Sequence, residues 1–165
     1  MVVGHFLAGI SAVIYSPNTS HYLLLHRAEE KDYAAGAWEC LTGRVDQGEG
    51  FQDALHREVH EELGITVQVV SILGTTHFFR GSPIPENELV GVVFLCLHNE
   101  SSSIKISDEH SEFRWLDYQH SVHLLSAPDP STQWAHRVIE RAQAILTSLP
   151  GELLDFLQAE GLEFG

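Results

Sequence analysis

The stretch that most constrains this chain is residues 43–65, GRVDQGEGFQDALHREVHEELGI. Glu58, Glu61 and Glu62 recur there at spacings i, i+3 and i+4, so on a helix their carboxylates would be neighbours. Like charges this close repel one another and raise one another's pKa values unless a cation compensates them. Carboxylate oxygens suit Mg²⁺ or Mn²⁺, which also bind substrate phosphates. The stretch therefore predicts a site for a metal ion and a phosphate.

The same stretch also predicts a packed helix. An apolar stripe along one side of that helix is formed by Phe51, Leu55, Val59 and Leu63. On a helical wheel the three glutamates lie along the rim of this stripe, where core packing can hold them still. Gly64 follows as the glycine that commonly ends a helix, and Arg57 can pair with Glu61 one turn away. Rigidity of this kind is what a metal site requires.

The complete spacing of residues 43–65 resembles the Nudix box, and the stretch is hereafter called the box. The fixed positions that match are Gly43, Glu49, Arg57, Glu58, Glu61, Glu62 and Gly64, with apolar Val59 and Ile65. If each residue type occurs about once in fifteen, these matches arise by chance about once in 10⁸ starting positions. Just before the box, Leu41 and Thr42 replace the Pro-Gly of many family members, which leaves the shape of the substrate-side turn open.

The resemblance implies a hydrolase that acts on nucleoside diphosphates linked to another moiety, folded as an α/β/α sandwich with a mixed β-sheet. The order of predicted elements, strands, a helix, strands and a late helix, gives the same α/β class. Hydrolysis of a phosphoanhydride requires its negative charge to be neutralised while water is deprotonated and aimed at phosphorus, and metal ions do both. The implied cofactor is Mg²⁺, with Mn²⁺ as the alternative.

The resemblance also implies a role for each matching side chain. Glu58, Glu61 and Glu62 hold the metal ions, and one of them is a candidate base for the attacking water. Arg57 and Glu49 orient these carboxylates through hydrogen bonds. The predicted catalytic residues are therefore Glu58, Glu61, Glu62, Arg57 and Glu49.

Two further metal contacts follow from the same resemblance. The box glycine, Gly43, offers its carbonyl oxygen. Within residues 108–116, a loop before a late strand carries an additional glutamate, for which we favour Glu109 over Glu112. The alternative for this segment is a solvated acidic loop without a metal-binding role.

The substrate contacts are predicted from scarce residue types. Arg27, Lys31 and Arg44 are the cations near the box that could reach a phosphate, and the alternative for each is a solvated loop charge. Phe78 could stack on a base, although packing in the core is the alternative. The predicted substrate-binding residues are therefore Arg27, Arg44 and Phe78.

The charge and residue composition limit the kinds of partner that this protein is expected to bind. Nine Lys and Arg against 23 Asp and Glu give a formal net charge of −14, so the surface repels phosphate polymers and binding along a nucleic acid is not expected. A small nucleotide-derived substrate remains compatible, because a metal ion screens the site locally. Cys40 and Cys96 lack CxxC spacing and indicate reduced, buried thiols of a cytoplasmic protein. No apolar run approaches 18 residues, so no membrane association is expected.

The chain is expected to form one domain over residues 1–165, since its length is near the usual domain size. Asp129 and Pro130 predict the start of a helix that continues to about Ser148. An amphipathic tail helix is predicted over about 151–161, and it would dock on its own domain or on the second copy of a homodimer.

Other functions and sites are weighed against this one. A catalytically silent nucleotide-binding sensor on the same fold would be expected to have lost a carboxylate, and none is missing. An isomerase of isoprenoid diphosphates would need a Cys and Glu pair, and Cys40 lacks that context. His56 and His60 have zinc-site spacing, but they lie away from the carboxylates on the wheel, which favours exposed histidines.

The sequence leaves the substrate open. The candidates are nucleotide sugars such as ADP-ribose, dinucleoside polyphosphates and nucleoside triphosphates. The residues leading into the box, WECLTGRVDQGE, slightly favour the diphosphate-linked compounds.

Overall fold

A computed structural model describes residues 4–30, 33–99 and 103–164. Lys31, one of the predicted phosphate-binding cations, lies outside the described residues. The strands are β1 (Leu7–Ser16), β2 (His21–Arg27), β3 (Trp38–Glu39), β4 (Leu41–Arg44), β5 (Gln68–Phe79), β6 (Glu88–Leu97) and β7 (His110–Leu116). The helices are α1 (Phe51–Leu63), α2 (Tyr118–Leu124), α3 (Pro130–Ser148) and α4 (Gly151–Glu160), with a 3-10 turn at Pro85–Asn87.

The seven strands of the described chain form one mixed sheet. Its main order is β3-β2-β1-β6-β5, with β4 paired to β1 and β7 paired to β2. β1 and β6 are parallel over Leu7 to Tyr15, whereas the other pairs are antiparallel. The β1–β2 hairpin closes at the Ser16–His21 pair, and the turn at residues 17–20 keeps the two strands adjacent.

A helix covers each face of the sheet, and the side chains of the central strands point alternately to the two faces. On one face, Ile14 of β1 and Leu25 of β2 pack with Leu55 and Val59 of α1. On the other face, Val13, Leu24 and Leu95 pack with Ala135 and Ile139 of α3. The predicted α/β/α sandwich with a mixed sheet is confirmed.

The helix ends follow local chemistry. Gly64 adopts a left-handed conformation with φ 66°, which a residue with a side chain rarely adopts, and it ends α1 as predicted. Asp129 accepts a hydrogen bond from the Thr132 amide at 2.9 Å and caps α3, whose predicted span is confirmed. The short helix α2 was not predicted, although Asp117 caps it in the same way through the His120 amide.

Helix α4 packs against β5, and the Gln68 side-chain amide donates to Gln158 at 2.8 Å. The single-domain boundary over 1–165 stays a prediction. Across the residues that the structure describes, no helix combines the length and apolar character needed to cross a membrane.

Candidate active site

Helix α1 presents Glu58 to the strand that leads into the box. The Glu58 Oε1 atom accepts a hydrogen bond from the Arg44 amide at 3.1 Å. A Cβ added at Gly43 would collide with the Glu58 side chain, so only glycine permits this close approach of strand β4 to the helix. The box glycine is thus required by packing against the first predicted metal ligand.

Arg57 contacts three carboxylates, those of Glu49, Glu58 and Glu61, which together with Glu62 are called the acidic cluster below. Its guanidinium donates to both oxygens of Glu49, at 2.7 and 2.9 Å, and to Glu58 at 2.9 Å and Glu61 at 3.2 Å. It also donates to the Arg44 carbonyl at 2.9 Å. Hydrogen bonding from Arg57, together with a bond from the Asp46 amide, lowers the pKa of Glu49 to about 2. The structure therefore brings Glu49, Arg57, Glu58 and Glu61 together, with Glu49 rather than Glu61 as the main partner of Arg57.

Glu62 differs from its neighbours because it is buried. Its side chain is 7% exposed, whereas that of Glu61 is 59% exposed, so the two adjacent glutamates occupy different environments. The rim position expected for all three carboxylates is therefore wrong for Glu62, which lies within the buried face of α1. Burial, followed by the Glu58, Glu109 and Glu39 carboxylates, raises the pKa of Glu62 to about 9.

A second ion-pair network lies behind Glu62. Arg27 Nη1 lies 2.9 Å from Glu39 Oε1, and Arg27 Nη2 lies 4.0 Å from Glu109 Oε2. His110 Nε2 is 3.2 Å from the same Glu39 oxygen, and His110 Nδ1 is 3.5 Å from Glu62 Oε2. Glu39 and His110 are both buried. These side chains link the end of β2, β3 and the start of β7 to the box helix.

The placement of Arg27 corrects the expectation for this residue. Its side chain is 8% exposed, and its guanidinium donates to Glu39 and, at 2.8 Å, to the Tyr33 carbonyl. Burial alone would lower the pKa of Arg27, but the charge of Glu39 and its hydrogen bond raise it. Arg27 is neither a solvated loop charge nor presented to a phosphate, because its charge is compensated inside the protein.

Of the two glutamates considered after the central strand, the structure groups Glu109 with the site. Its charge contributes to the raised pKa of Glu62, and its carboxylate faces Arg27. Glu112 instead accepts a hydrogen bond from Arg114 Nε at 2.6 Å, further along β7. Glu109 thus lies with the box carboxylates and Glu112 does not, while the role of Glu109 as a metal ligand stays a prediction.

An aromatic pair adjoins the second network. The Phe78 and Tyr33 rings are nearly parallel, with centroids 6.2 Å apart and an interplanar angle of 19°. The Arg80 guanidinium lies 6.0 Å from the centre of the Tyr33 ring. Because the Tyr33 carbonyl also accepts a hydrogen bond from Arg27, the aromatic pair is tied to the acidic cluster. Arg44, by contrast, is exposed beside Glu58.

Sequence reasoning missed Glu39, His110 and Tyr33. A signal existed for Glu39, because a charged residue between Trp38 and Cys40 in a short apolar strand has to be paired when buried. His110 follows the favoured Glu109 directly, yet nothing in the sequence indicates that its ring turns inward. Tyr33 had no distinguishing signal.

The donor set fits a divalent cation. Three buried side-chain oxygen and nitrogen atoms of the described residues lack a hydrogen-bond partner, and two of them, Glu62 Oε2 and His110 Nδ1, lie 3.5 Å apart beside the box helix. No three acidic, imidazole or thiol groups of the described chain converge as a ready-made metal cage. Mg²⁺ does not require one, since it is usually bound by one or two carboxylates, water and substrate phosphates. The buried Glu62 carboxyl beside Glu58 has a raised pKa, and a bound cation would favour its ionised form.

His56 and His60 are exposed on α1, away from this cluster, as expected. Cys40 and Cys96 are free and buried. Burial, together with the nearby Glu39 charge, raises the pKa of the Cys40 thiol to about 12, so this thiol is not a nucleophile at neutral pH.

Comparisons with known proteins identify the family and the fold. The model of the NUDIX domain family matches residues 5–142. A curated relative, nucleoside triphosphatase NudI of Escherichia coli O139:H28, is 26% identical over 113 residues, which cover 64% of this chain and 79% of the relative. The fold resembles the crystal structure of a MutT protein from Methanosarcina mazei Go1, with a TM-score of 0.70, 24% identity, and coverage of 90% of this chain and 100% of that one.

A C. elegans Ap4A hydrolase, solved as a binary complex, has the same fold, with a TM-score of 0.66 and 21% identity. It is matched over 87% of this chain and 99% of its own. The family match spans the box, the second network and the sheet that joins them. This chain therefore belongs to the Nudix family, as a hydrolase of nucleoside diphosphate-linked substrates.

Proposed function

We propose that this chain is a Mg²⁺-dependent pyrophosphohydrolase that cleaves a phosphoanhydride bond in a nucleotide derivative, with Mn²⁺ as an alternative ion. The observation that carries the proposal is the buried Glu62 carboxylate. One of its oxygens has no hydrogen-bond partner among the described residues, and its burial, followed by the charges of Glu58, Glu109 and Glu39, raises its pKa. A cation at this point would favour the ionised form of Glu62 and would add the positive charge that phosphate binding requires.

The candidate metal ligands are Glu58, Glu61, Glu62 and Glu109, with the carbonyl of Gly43, and each ion would take one or two of these carboxylates together with water and substrate phosphates. When bound, the ion supplies charge neutralisation at the phosphates and lowers the pKa of water. The contribution of the chain is orientation. Arg57 fixes Glu58 and Glu61, and Glu49 fixes Arg57. Behind them, Glu39 and His110 limit the positions open to the Glu62 side chain.

The reaction adds one water across one anhydride bond. The water oxygen bonds to phosphorus, the bridging P–O bond breaks, and the released proton passes to a carboxylate. We assign this acceptor to Glu61, because its side chain is the most exposed of the box glutamates and is held by Arg57. The products are a nucleoside monophosphate and the remaining phosphorylated group.

The nucleotide base would stack on the Tyr33 and Phe78 rings, and Arg44 would contact a phosphate. Both are supported by position: the ring pair adjoins the buried network through the Tyr33 carbonyl, and Arg44 is exposed beside Glu58. Arg27 supports this surface from within, through its hydrogen bond to Tyr33, and does not bind the phosphate directly.

Two observations point to different substrate classes. The NudI relative is named as a nucleoside triphosphatase, whereas the residues leading into the box favour diphosphate-linked compounds such as ADP-ribose. The Ap4A hydrolase adds dinucleoside polyphosphates, although at 21% identity it supports the fold alone. The cytoplasmic location and the homodimer stay predictions.

The test is phosphate or nucleotide release from a panel of these three substrate classes, with and without Mg²⁺. Turnover of at least one class should require the metal and should be lost in Glu58→Gln. Glu112→Gln is the matched control, because Glu112 pairs with Arg114 outside the cluster, and it should retain turnover. Nucleotide binding without release in the presence of metal would replace the proposal with a catalytically silent sensor.

A further inference from the structure

Residues 158–164, which comprise the end of α4 and the segment after it and are called the tail below, provide an ionic cap for the box helix. Glu163 accepts hydrogen bonds from the Phe51 amide at 3.1 Å and from the Gln52 amide at 3.0 Å, one with each carboxylate oxygen. These amides are the first two of α1, and a helix leaves its first amides without intrahelical acceptors. A carboxylate there also interacts favourably with the positive end of the helix dipole.

The helix has no local substitute for this cap. Its N-cap residue is Gly50, which has no side chain to accept a hydrogen bond. A Cβ added at Gly50 would lie 2.6 Å from Glu163 Oε1, so the glycine leaves the space that the carboxylate occupies. The acceptor that usually lies just before a helix is supplied here from 112 residues away in the chain.

The contact is anchored on both sides. The Leu162 amide donates to the Gln52 side-chain oxygen at 2.9 Å, so helix and tail exchange hydrogen bonds in both directions. Leu162 packs against the core cluster that contains the apolar face of α1. Upstream, Gln158 of α4 accepts a hydrogen bond from Gln68 of β5. The tail thus crosses from β5 to the start of the box helix.

We infer that residues 161–164, which follow the family match over 5–142, fix the start of the box helix and that Glu163 is a positioning residue for the predicted metal ligands. The path is short. Glu49, the main partner of Arg57, lies two residues before Phe51, and Arg57 holds Glu58 and Glu61. Loosening the first turn of α1 frees Glu49, and Arg57 then loses its bidentate anchor.

The first test uses the full-length, metal-free protein and does not depend on activity. Hydrogen exchange at the Phe51 and Gln52 amides should be about fivefold faster in Glu163→Ala than in wild type, as expected for a lost cap. Glu160→Gln is the matched control, since it removes a charge from an exposed residue of the same tail, and exchange should be unchanged. Equal exchange in wild type and Glu163→Ala would overturn the cap.

A second variant displaces the carboxylate without altering Glu163. Gly50→Ala should accelerate exchange at the same amides, because the new methyl carbon would lie 2.6 Å from Glu163 Oε1 and would displace the carboxylate. In the Glu163→Ala background, Gly50→Ala should add little, since both changes remove the same contact. Fully additive effects would show that the glycine and the carboxylate act independently and would overturn the assignment.

The kinetic arm rests on the proposed function. For a substrate identified with the panel, Glu163→Ala should lower kcat by about threefold to tenfold with little change in KM, because orientation and not substrate contact is lost. Faster exchange with unchanged kcat would overturn the positioning role. If wild type turns over no substrate, the proposed function fails, and the exchange experiment still decides the cap.

Discussion

Two arginines flank the acidic cluster, and they differ in how the fold uses them. Arg57 lies on the box helix with its side chain 27% exposed, and it contacts three glutamates of the same stretch. Arg27 lies at the end of β2 with its side chain 8% exposed, and it pairs with Glu39 from another strand. Both hold carboxylates, but one does so at the surface and the other inside the protein.

Because the two arginines differ in burial, we expect one to matter for catalysis and the other for stability. An ion pair in contact with solvent contributes little to folding, so the value of the Arg57 network lies in orienting Glu58 and Glu61. A buried arginine whose partner is removed leaves an uncompensated charge, which costs several kcal/mol. We therefore expect the network around Arg57 to govern turnover and the network around Arg27 to govern folding.

The largest expected effect is at the carboxylate between the two networks. Glu62→Gln should reduce turnover by about 10²–10⁴-fold, since it removes a predicted metal ligand. The same change should stabilise the metal-free protein at pH 8 by a few degrees in Tm. Turnover assays with Mg²⁺ and thermal unfolding in a chelator measure the two effects.

The stabilising direction of Glu62→Gln follows from the raised pKa of Glu62. Glu62 changes from an ordinary 4.5 to about 9 on folding, so the folded state binds the proton more tightly and loses stability as pH rises from 4.5 towards 9. The stabilisation by Gln should therefore vanish below about pH 4.5. Glu61→Gln is the control: it should lose turnover with unchanged apo stability, because Glu61 is exposed. A lower Tm for Glu62→Gln at pH 8 would contradict the assignment.

Arg27→Met should lower the free energy of unfolding by about 3–5 kcal/mol, because the buried Glu39 loses the guanidinium that compensates its charge. Urea unfolding of the metal-free protein measures this loss. The double variant Arg27→Met with Glu39→Met should recover much of it, since apolar pairs often replace buried ion pairs at little cost. A single variant as stable as wild type would show that the pair does not support the fold.

Arg57→Lys should behave in the opposite way. A lysine keeps the charge but cannot donate to Glu49, Glu58 and Glu61 from one planar group, so kcat/KM should fall by about 10–100-fold. The free energy of unfolding should change by less than about 1 kcal/mol, because the network is partly exposed. A large loss of stability with normal kinetics would remove the distinction between the two arginines.

The smallest effect concerns pH and Glu49. Arg57 lowers the pKa of Glu49 to about 2, so the unfolded state binds the proton more readily and the stabilisation is present above 4.5. It should be lost as pH falls from 4.5 to about 2, opposite in direction to the effect of Glu62. The difference in Tm between wild type and Glu49→Gln, measured from pH 6 to 3, should shrink with acid. A constant difference would mean that Arg57 does not hold Glu49.

The box shows how much of the site could be predicted. Helix α1, its terminal Gly64 and the grouping of Glu58 and Glu61 with Arg57 and Glu49 followed from spacing and from the resemblance. The α3 cap at Asp129 was equally predictable. In each case the contacting residues lie within about one or two helical turns in the sequence, or within a single connected loop, so local geometry limits where they can go.

The second network could not be predicted, because its members come from distant segments. His110 and Glu39 are 71 residues apart, and the register of β2 with β3 and β7 brings them together. That register depends on which faces are buried across the whole sheet, which a single strand does not specify. The same reason explains why Arg27 was assigned to the substrate: its burial is a property of the assembled sheet.

By itself, the sequence determined the family, the helix of the box and the three glutamates that this helix carries, since these depend on residue types at fixed local spacing. Only the tertiary structure decided which glutamate is buried, which arginine is internal and where the tail attaches. Burial and long-range pairing arise when separate segments pack and exclude water, and that exclusion gives chemically identical side chains such as Glu61 and Glu62 different properties.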